Sequence, residues 1–218
     1  MDTNYSAHQI PQFRVLSDAQ IERVYQATLE CLQRTGVNVL NEEARDLLVA
    51  AGACADGIRV RIPPHIIQDA LAATPRTFTL WGRDRQHRMQ IVPDRVYFGP
   101  GPTCTYYMDP QTGERRRAQR GDPALTARVC DALEHIDYAM GLGLIGDVPP
   151  ELAPVVAFAE MIANTGKPVL PWAFTRQNLA DIYEIALAVA GSAESLRQYP
   201  FFALFATYQA PLQHTDVE

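Results

Sequence analysis

From about residue 120 onward, helical stretches alternate with strands whose interiors are apolar throughout rather than alternating: "DYAMGLGL", "KPVLPWAF" and "FFALFATY". A strand with one wet face alternates apolar and polar residues, so continuous apolar runs mark strands buried on both faces. Strand, helix, strand, helix at this spacing implies parallel strands joined by right-handed crossovers. Four such strands are predicted, at 95–99, 137–143, 168–173 and 201–207. After the fourth, "QAPLQHTDVE" supplies no covering helix, whereas a complete doubly wound sheet would finish on one. The expected fold is therefore α/β: about the first half of a TIM-type (β/α)8 barrel, with an N-terminal helical extension.

The extension is read from helical spacing. Ser17 and Gln20 fit a capping box ahead of Ile21, Val24, Thr28 and Leu32, and Gly36 suits the position just past the helix end. Asn41 caps a second helix, "EEARDLLVAAGA"; a short strand "IRVRI" and the helix "HIIQDALAAT" follow. Between 77 and 99 the period changes to two, in "TFTLWG", "RMQIV" and "RVYFG". The expected organisation is a flexible arm at 1–16, a helical region at 17–76 and the truncated half-barrel at 77–218.

Composition excludes some functions. A net charge of −6, with no Lys/Arg stripe, argues against nucleic acid as a partner. No apolar run approaches the ~20 residues of a membrane span, and residues 1–16 do not read as an export signal. Cys31, Cys54, Cys104 and Cys130 form no C-x-x-C pair and read as reduced thiols, which places the chain in the cytoplasm. Arg115-Arg116-Arg117, after an Asp-Pro-x-x-Gly turn, reads as a solvated hairpin arm.

Two motifs are decoys. "GLGLIG", Gly141–Gly146, has the G-x-G-x-x-G form, but Asp147-Val148-Pro149-Pro150 stands where a phosphate-binding helix should open. The five histidines are scattered without ligand spacing, so no metal site is expected. Cys104 reads as a small buried filler rather than a reactive thiol. Nucleophile-elbow and P-loop patterns are missing too.

In parallel α/β barrels the chemistry sits at the C-terminal ends of the strands. Those ends carry Phe98, Gly99 and Gly101 with Tyr106, then Trp172 and Phe174, then Tyr208. Aromatic faces suit a quaternary ammonium, which has no N–H to donate, and each well-placed face contributes roughly 0.5–2 kcal/mol. The seven residues are the expected substrate-binding set; no catalytic residue is assigned.

The strings "RVYFGPG…YYMDPQTGERR", "FTLWGRD", "VRIPP" and "NTGKPVLPWAFT", with the opening "LSDAQIERVYQATLECLQRTGVNV", resemble the trimethylamine:corrinoid methyltransferase family. The similarity runs from about residue 13 to 218 and covers only the N-terminal part of the family's length. The resemblance implies transfer of a methyl group from trimethylamine or a glycine-betaine-like amine to the cobalt of a separate corrinoid protein. No cofactor would be bound directly, because the corrinoid (cobalamin) belongs to that partner, in one-carbon metabolism of the methanogenesis type. Trimethylamine-specific members carry pyrrolysine in the second half of the barrel, outside these 218 residues, and relatives without it use quaternary amines. The leaving group is a neutral amine, so orientation and water exclusion matter more than a general acid. The rival readings are a non-catalytic amine-binding or interaction half-barrel, prone to self-association through open strand edges, and an inactive truncated product.

Overall fold

The computed structural model describes residues 14–93, 95–102, 104, 106–206 and 210–214. The described backbone divides into two compact units, one formed by residues 14–75 with 210–214 and the other by the described residues of 76–206.

In the first unit, α1 (Asp18–Arg34) opens on the capping box: the Ser17 side chain accepts from the Gln20 N–H, and Gln20 reaches back to the Ser17 N–H at 2.8 Å. β1 (Val37–Val39) follows Gly36, which sits at φ +72° where a Cβ would overlap the Val60 carbonyl. α2 (Glu42–Ala50) is capped by Asn41, whose side chain accepts from the Ala44 N–H. β2 (Cys54–Asp56), β3 (Arg59–Arg61) and β1 pair antiparallel in the order β2-β3-β1. α3 (Pro64–Ala73) begins with proline in its first turn, where no N–H is needed. Val39, Ala53, Val60 and Ile62 form the core of this unit.

The second unit starts with the antiparallel pair β4 (Phe78–Trp81) and β5 (Arg88–Ile91). A small hairpin follows, β6 (Tyr107–Met108) with β7 (Arg115–Arg116), closed by the Asp-Pro-Gln-Thr-Gly turn with Gly113 at φ +73°. Then come α4 (Gly121–Ala132), α5 (Ala153–Asn164), α6 (Arg176–Ala190) and α7 (Ala193–Gln198). α6 is capped by Thr175 and ends on Gly191 at φ +80°. The short β8 (Gln213–His214) adds to β1 in parallel and completes the first unit's sheet.

The four apolar segments do not form continuous ladders. They meet as isolated parallel bridges, Ala139 with Val169, Val169 with Phe202, and Trp172 with Phe205. Segment 95–99 touches the series where the Asp137 N–H donates to the Phe98 carbonyl at 2.7 Å. Composition explains the interruption: Pro168 and Pro171 have no N–H to give, and their carbonyls accept from Ala139 and Phe205 instead. Segment 95–99 corrects the expectation of burial: Val96 is 76% and Phe98 64% exposed, since the segment joins the series by one peptide hydrogen bond and forms no ladder. In the other segments burial follows the pattern, with Ala139 and Val169 fully inaccessible and Phe201 nearly so. Phe158, Met161, Ile162 and Ile182 of α5 and α6 pack over them.

The end of α4 is closed by a side chain far along the sequence. Lys167, 4% exposed, donates from Nζ to the carbonyls of Cys130, Leu133 and Ile136 at 2.6–2.8 Å. A buried ammonium at a helix C-terminus satisfies carbonyls that have no intrahelical partner and meets the negative end of the dipole. Next to it, Asp131 accepts from the Thr165 hydroxyl and the Gly166 N–H. The motif "TGKP" is thus a structural clasp between α4 and segment 168–173.

Candidate functional site

Segments 137–143 and 168–173 run parallel, so their C-terminal ends lie on one side. There Trp172 faces a small cavity of about 30 Å³ whose walls include Pro102, Met140, Gly141, Leu144, Ile145 and Met161. Among the described residues, no ionisable side chain lines this cavity. Trp172 lies 5.2 Å from the Phe174 ring and 5.7 Å from the Phe205 ring, in tilted and edge-on geometry. The three rings are all half-buried and form one aromatic wall.

The expected site residues land in different places. Trp172 and Phe174 come together, and Phe205 joins them; "FFALFATY" held Phe205, but its place opposite Trp172 depends on the strand register. Phe98 is 64% exposed, with its N–H donating to the Asp137 carboxylate at 2.7 Å. Gly99 is a packing position: a Cβ there would overlap the Tyr138 ring. Gly101 has open space around it. Tyr106 is 40% exposed, and the Arg115 guanidinium lies 3.7 Å from its ring centroid, with that of Arg117 at 6.0 Å. Tyr208 lies outside the described residues.

Gly143, which sequence reasoning assigned only to a decoy motif, holds the loops together. A Cβ on it would overlap the Cys104 carbonyl oxygen, and the Cys104 N–H donates to Leu142 at 2.8 Å. Cys104 itself is exposed, a correction to its expected burial: the contact is made by its backbone. No helix opens at Gly146; turns lead to α5 at Ala153, as Pro149 and Pro150 require. Gly99 and Pro100 line a second, wider groove of about 420 Å³, between Tyr107 and the Leu125, Val129 and Leu133 face of α4.

One ion network braces the hairpin. Arg116 donates to Asp109 at 2.8 Å and forks onto both oxygens of Asp122 at 2.7 and 2.8 Å. Hydrogen bonds from Arg116 and from the Gln111 and Thr112 peptides hold Asp109 down to about 2, and Arg116 likewise lowers Asp122. Burial raises the Tyr107 phenol, which sits in the wide groove near Thr126.

Comparison with known proteins adds what this geometry lacks. The profile of the trimethylamine methyltransferase (MTTB) family matches residues 1–217. A trimethylamine methyltransferase, MttB, of Desulfitobacterium hafniense (strain DSM 10664 / DCB-2) is 32% identical over 203 residues, covering 90% of this chain and 40% of the relative. A glycine betaine methyltransferase of Desulfitobacterium hafniense (strain Y51) is 21% identical, covering 95% of this chain and 43% of the relative. The trimethylamine methyltransferase MttB of Methanosarcina thermophila is 28% identical, covering 93% and 43%. These relatives share one class, methyltransferases acting on methylated amines. The chain belongs to the trimethylamine methyltransferase family, and it spans about two fifths of the length of the curated relatives it matches.

Proposed function

We propose that this chain forms the first part of a TIM-type barrel enzyme that transfers a methyl group from a methylated or quaternary amine to the corrinoid of a separate carrier protein. The observation that carries the reading is the aromatic wall of Trp172, Phe174 and Phe205 beside a cavity lined, among the described residues, by no ionisable side chain. Such a wall attracts a cation that cannot be hydrogen-bonded. The parallel bridges and the crossover helices α4 to α7 support the half-barrel.

The corrinoid supplies the cobalt nucleophile, and the arrangement here suits a reaction needing no proton transfer. Trp172 holds the ammonium by its face, while the buried Met140, Ile145 and Met161 keep water away from the reacting carbon. At about 30 Å³ the cavity takes a methyl-sized group, so the rest of the amine requires further walls. Exposed thiols at Cys31, Cys54 and Cys104 suit a reducing compartment and support a cytoplasmic setting.

The test is calorimetry on the full-length polypeptide that carries this chain, with glycine betaine and trimethylamine as ligands. Trp172→Ala weakens binding of the preferred amine by about 1–3 kcal/mol, and Trp172→Phe recovers part of it. Unchanged affinity removes Trp172 from the site. A wild-type protein that binds neither amine removes the reading.

A further inference from the structure

Three arginines and the aromatic beside them fall outside the amine site. Internal pairing divides them: Arg116 is consumed by Asp109 and Asp122. Arg120, a few residues on, is paired with Glu160 at 3.1 Å. Arg115 and Arg117 have no carboxylate within ion-pair reach among the described residues. Both are exposed, and both guanidinium groups are placed over the Tyr106 ring, Arg115 at 3.7 Å.

Stacking changes what these side chains can do. A free surface arginine loses considerable rotamer entropy when it binds, whereas a guanidinium already lying on a ring presents its N–H edges at lower cost. The hairpin is itself fixed, by the Arg116 network below and by the Cys104 backbone seated on Gly143. The parallel bridge from Ala118 to Ile145 adds a third tie. Ile145 and Leu144 also line the Trp172 cavity, so the arginine pair stands on the rim of the candidate site. Exposed Met108 and Leu144 supply apolar surface on the same loops, at 66% and 53% exposure. Arginine, tyrosine and methionine are the residue types enriched in protein–protein contacts. Two arginines without a lysine stripe, on a chain of net charge −6, do not make a nucleic-acid surface.

We infer that the Arg115–Tyr106–Arg117 stack on the β6–β7 hairpin is a docking surface for an acidic face of the carrier protein that receives the methyl group. The inference rests on the proposed amine-to-corrinoid reading for the partner's identity, while its geometry stands on the hairpin alone.

The experiment is isothermal titration of the source organism's purified holo-corrinoid protein into the full-length polypeptide, with amine binding measured on the same samples. Arg115→Glu with Arg117→Glu weakens carrier binding by about tenfold or more and removes most of its salt dependence. The paired Arg115→Lys and Arg117→Lys variant keeps the charge but loses the stacked fork, so its carrier affinity falls between those of wild type and the Glu variant. Amine affinity is unchanged in both, which also reports that the variants fold. Equal carrier affinity in wild type and the Glu variant overturns the inference, and so does a wild type that does not bind the carrier. Loss of amine binding in the wild type counts against the proposed function instead, so the two failures are distinguishable.

Discussion

A single side chain, Arg116, decides how the hairpin meets α4. It joins Asp109 of the turn to Asp122, which is 5% exposed in the first turn of α4. Asp122 also accepts from the Gln119 N–H, so its carboxylate has a partner on each side. Both carboxyls are depressed below their ordinary range, Asp109 to about 2. A depressed carboxyl contributes stability that is fully present above its unfolded pKa and is lost as pH falls through the folded one. The stabilising contribution of Asp109 is therefore complete above about pH 4 and disappears toward pH 2. Asp109→Asn melts below wild type at pH 6, and the gap closes as the pH is lowered to about 2. Thermal melts across that range check it, and a gap independent of pH would sink the assignment of the effect to this ion pair.

At the scale of elements, two glycines on neighbouring loops make opposite demands. Gly143 admits the Cys104 carbonyl where a Cβ would stand, while Gly101 faces open space at an ordinary φ. Gly143→Ala forces the hairpin arm off the 137–143 segment and costs about 1–3 kcal/mol, whereas Gly101→Ala stays within about 0.5 kcal/mol of wild type. Urea denaturation of both variants tests the contrast; equal midpoints would refute it. The same pair shows what a sequence can convey. Caps at Ser17 and Asn41, the Gly36 helix end and the strands β4 and β5 follow from local chemistry, and each lies close to where its residues predict. The burial of Ala139 and Val169 was legible in their apolar segments, but neither the exposure of 95–99 nor the broken ladders were, because proline's missing N–H acts only once a partner strand is placed. Trp172 and Phe174 are two residues apart and were read together; Phe205 and Lys167 act across the fold, through register and through a helix end, which no local pattern encodes.

For the whole molecule, the second unit leaves much apolar surface uncovered. Val96 is 76% exposed, Val129 and Leu133 are each 50% exposed, and Phe98 and Leu204 are also open. The α4 face lines the groove of about 420 Å³ with Gly99, Pro100 and Tyr107. Segment 95–99 meets 137–143 through one peptide hydrogen bond, from Asp137 to Phe98, and segment 201–206 is bridged to 168–173. Surfaces of this kind are covered in stable proteins, and when they are open they recruit another chain. The 218-residue polypeptide prepared on its own therefore self-associates across about 1–100 µM and binds a hydrophobic dye. Phe98→Asp with Val129→Lys shifts it toward monomer, because each places a charge in the uncovered apolar surface. In a polypeptide that adds the remaining strands of the proposed barrel, the same residues are covered and dye binding falls. Sedimentation velocity on the three proteins checks this: a monodisperse 218-residue monomer with no dye binding would show that the unit closes its own edges, and would count against the half-barrel.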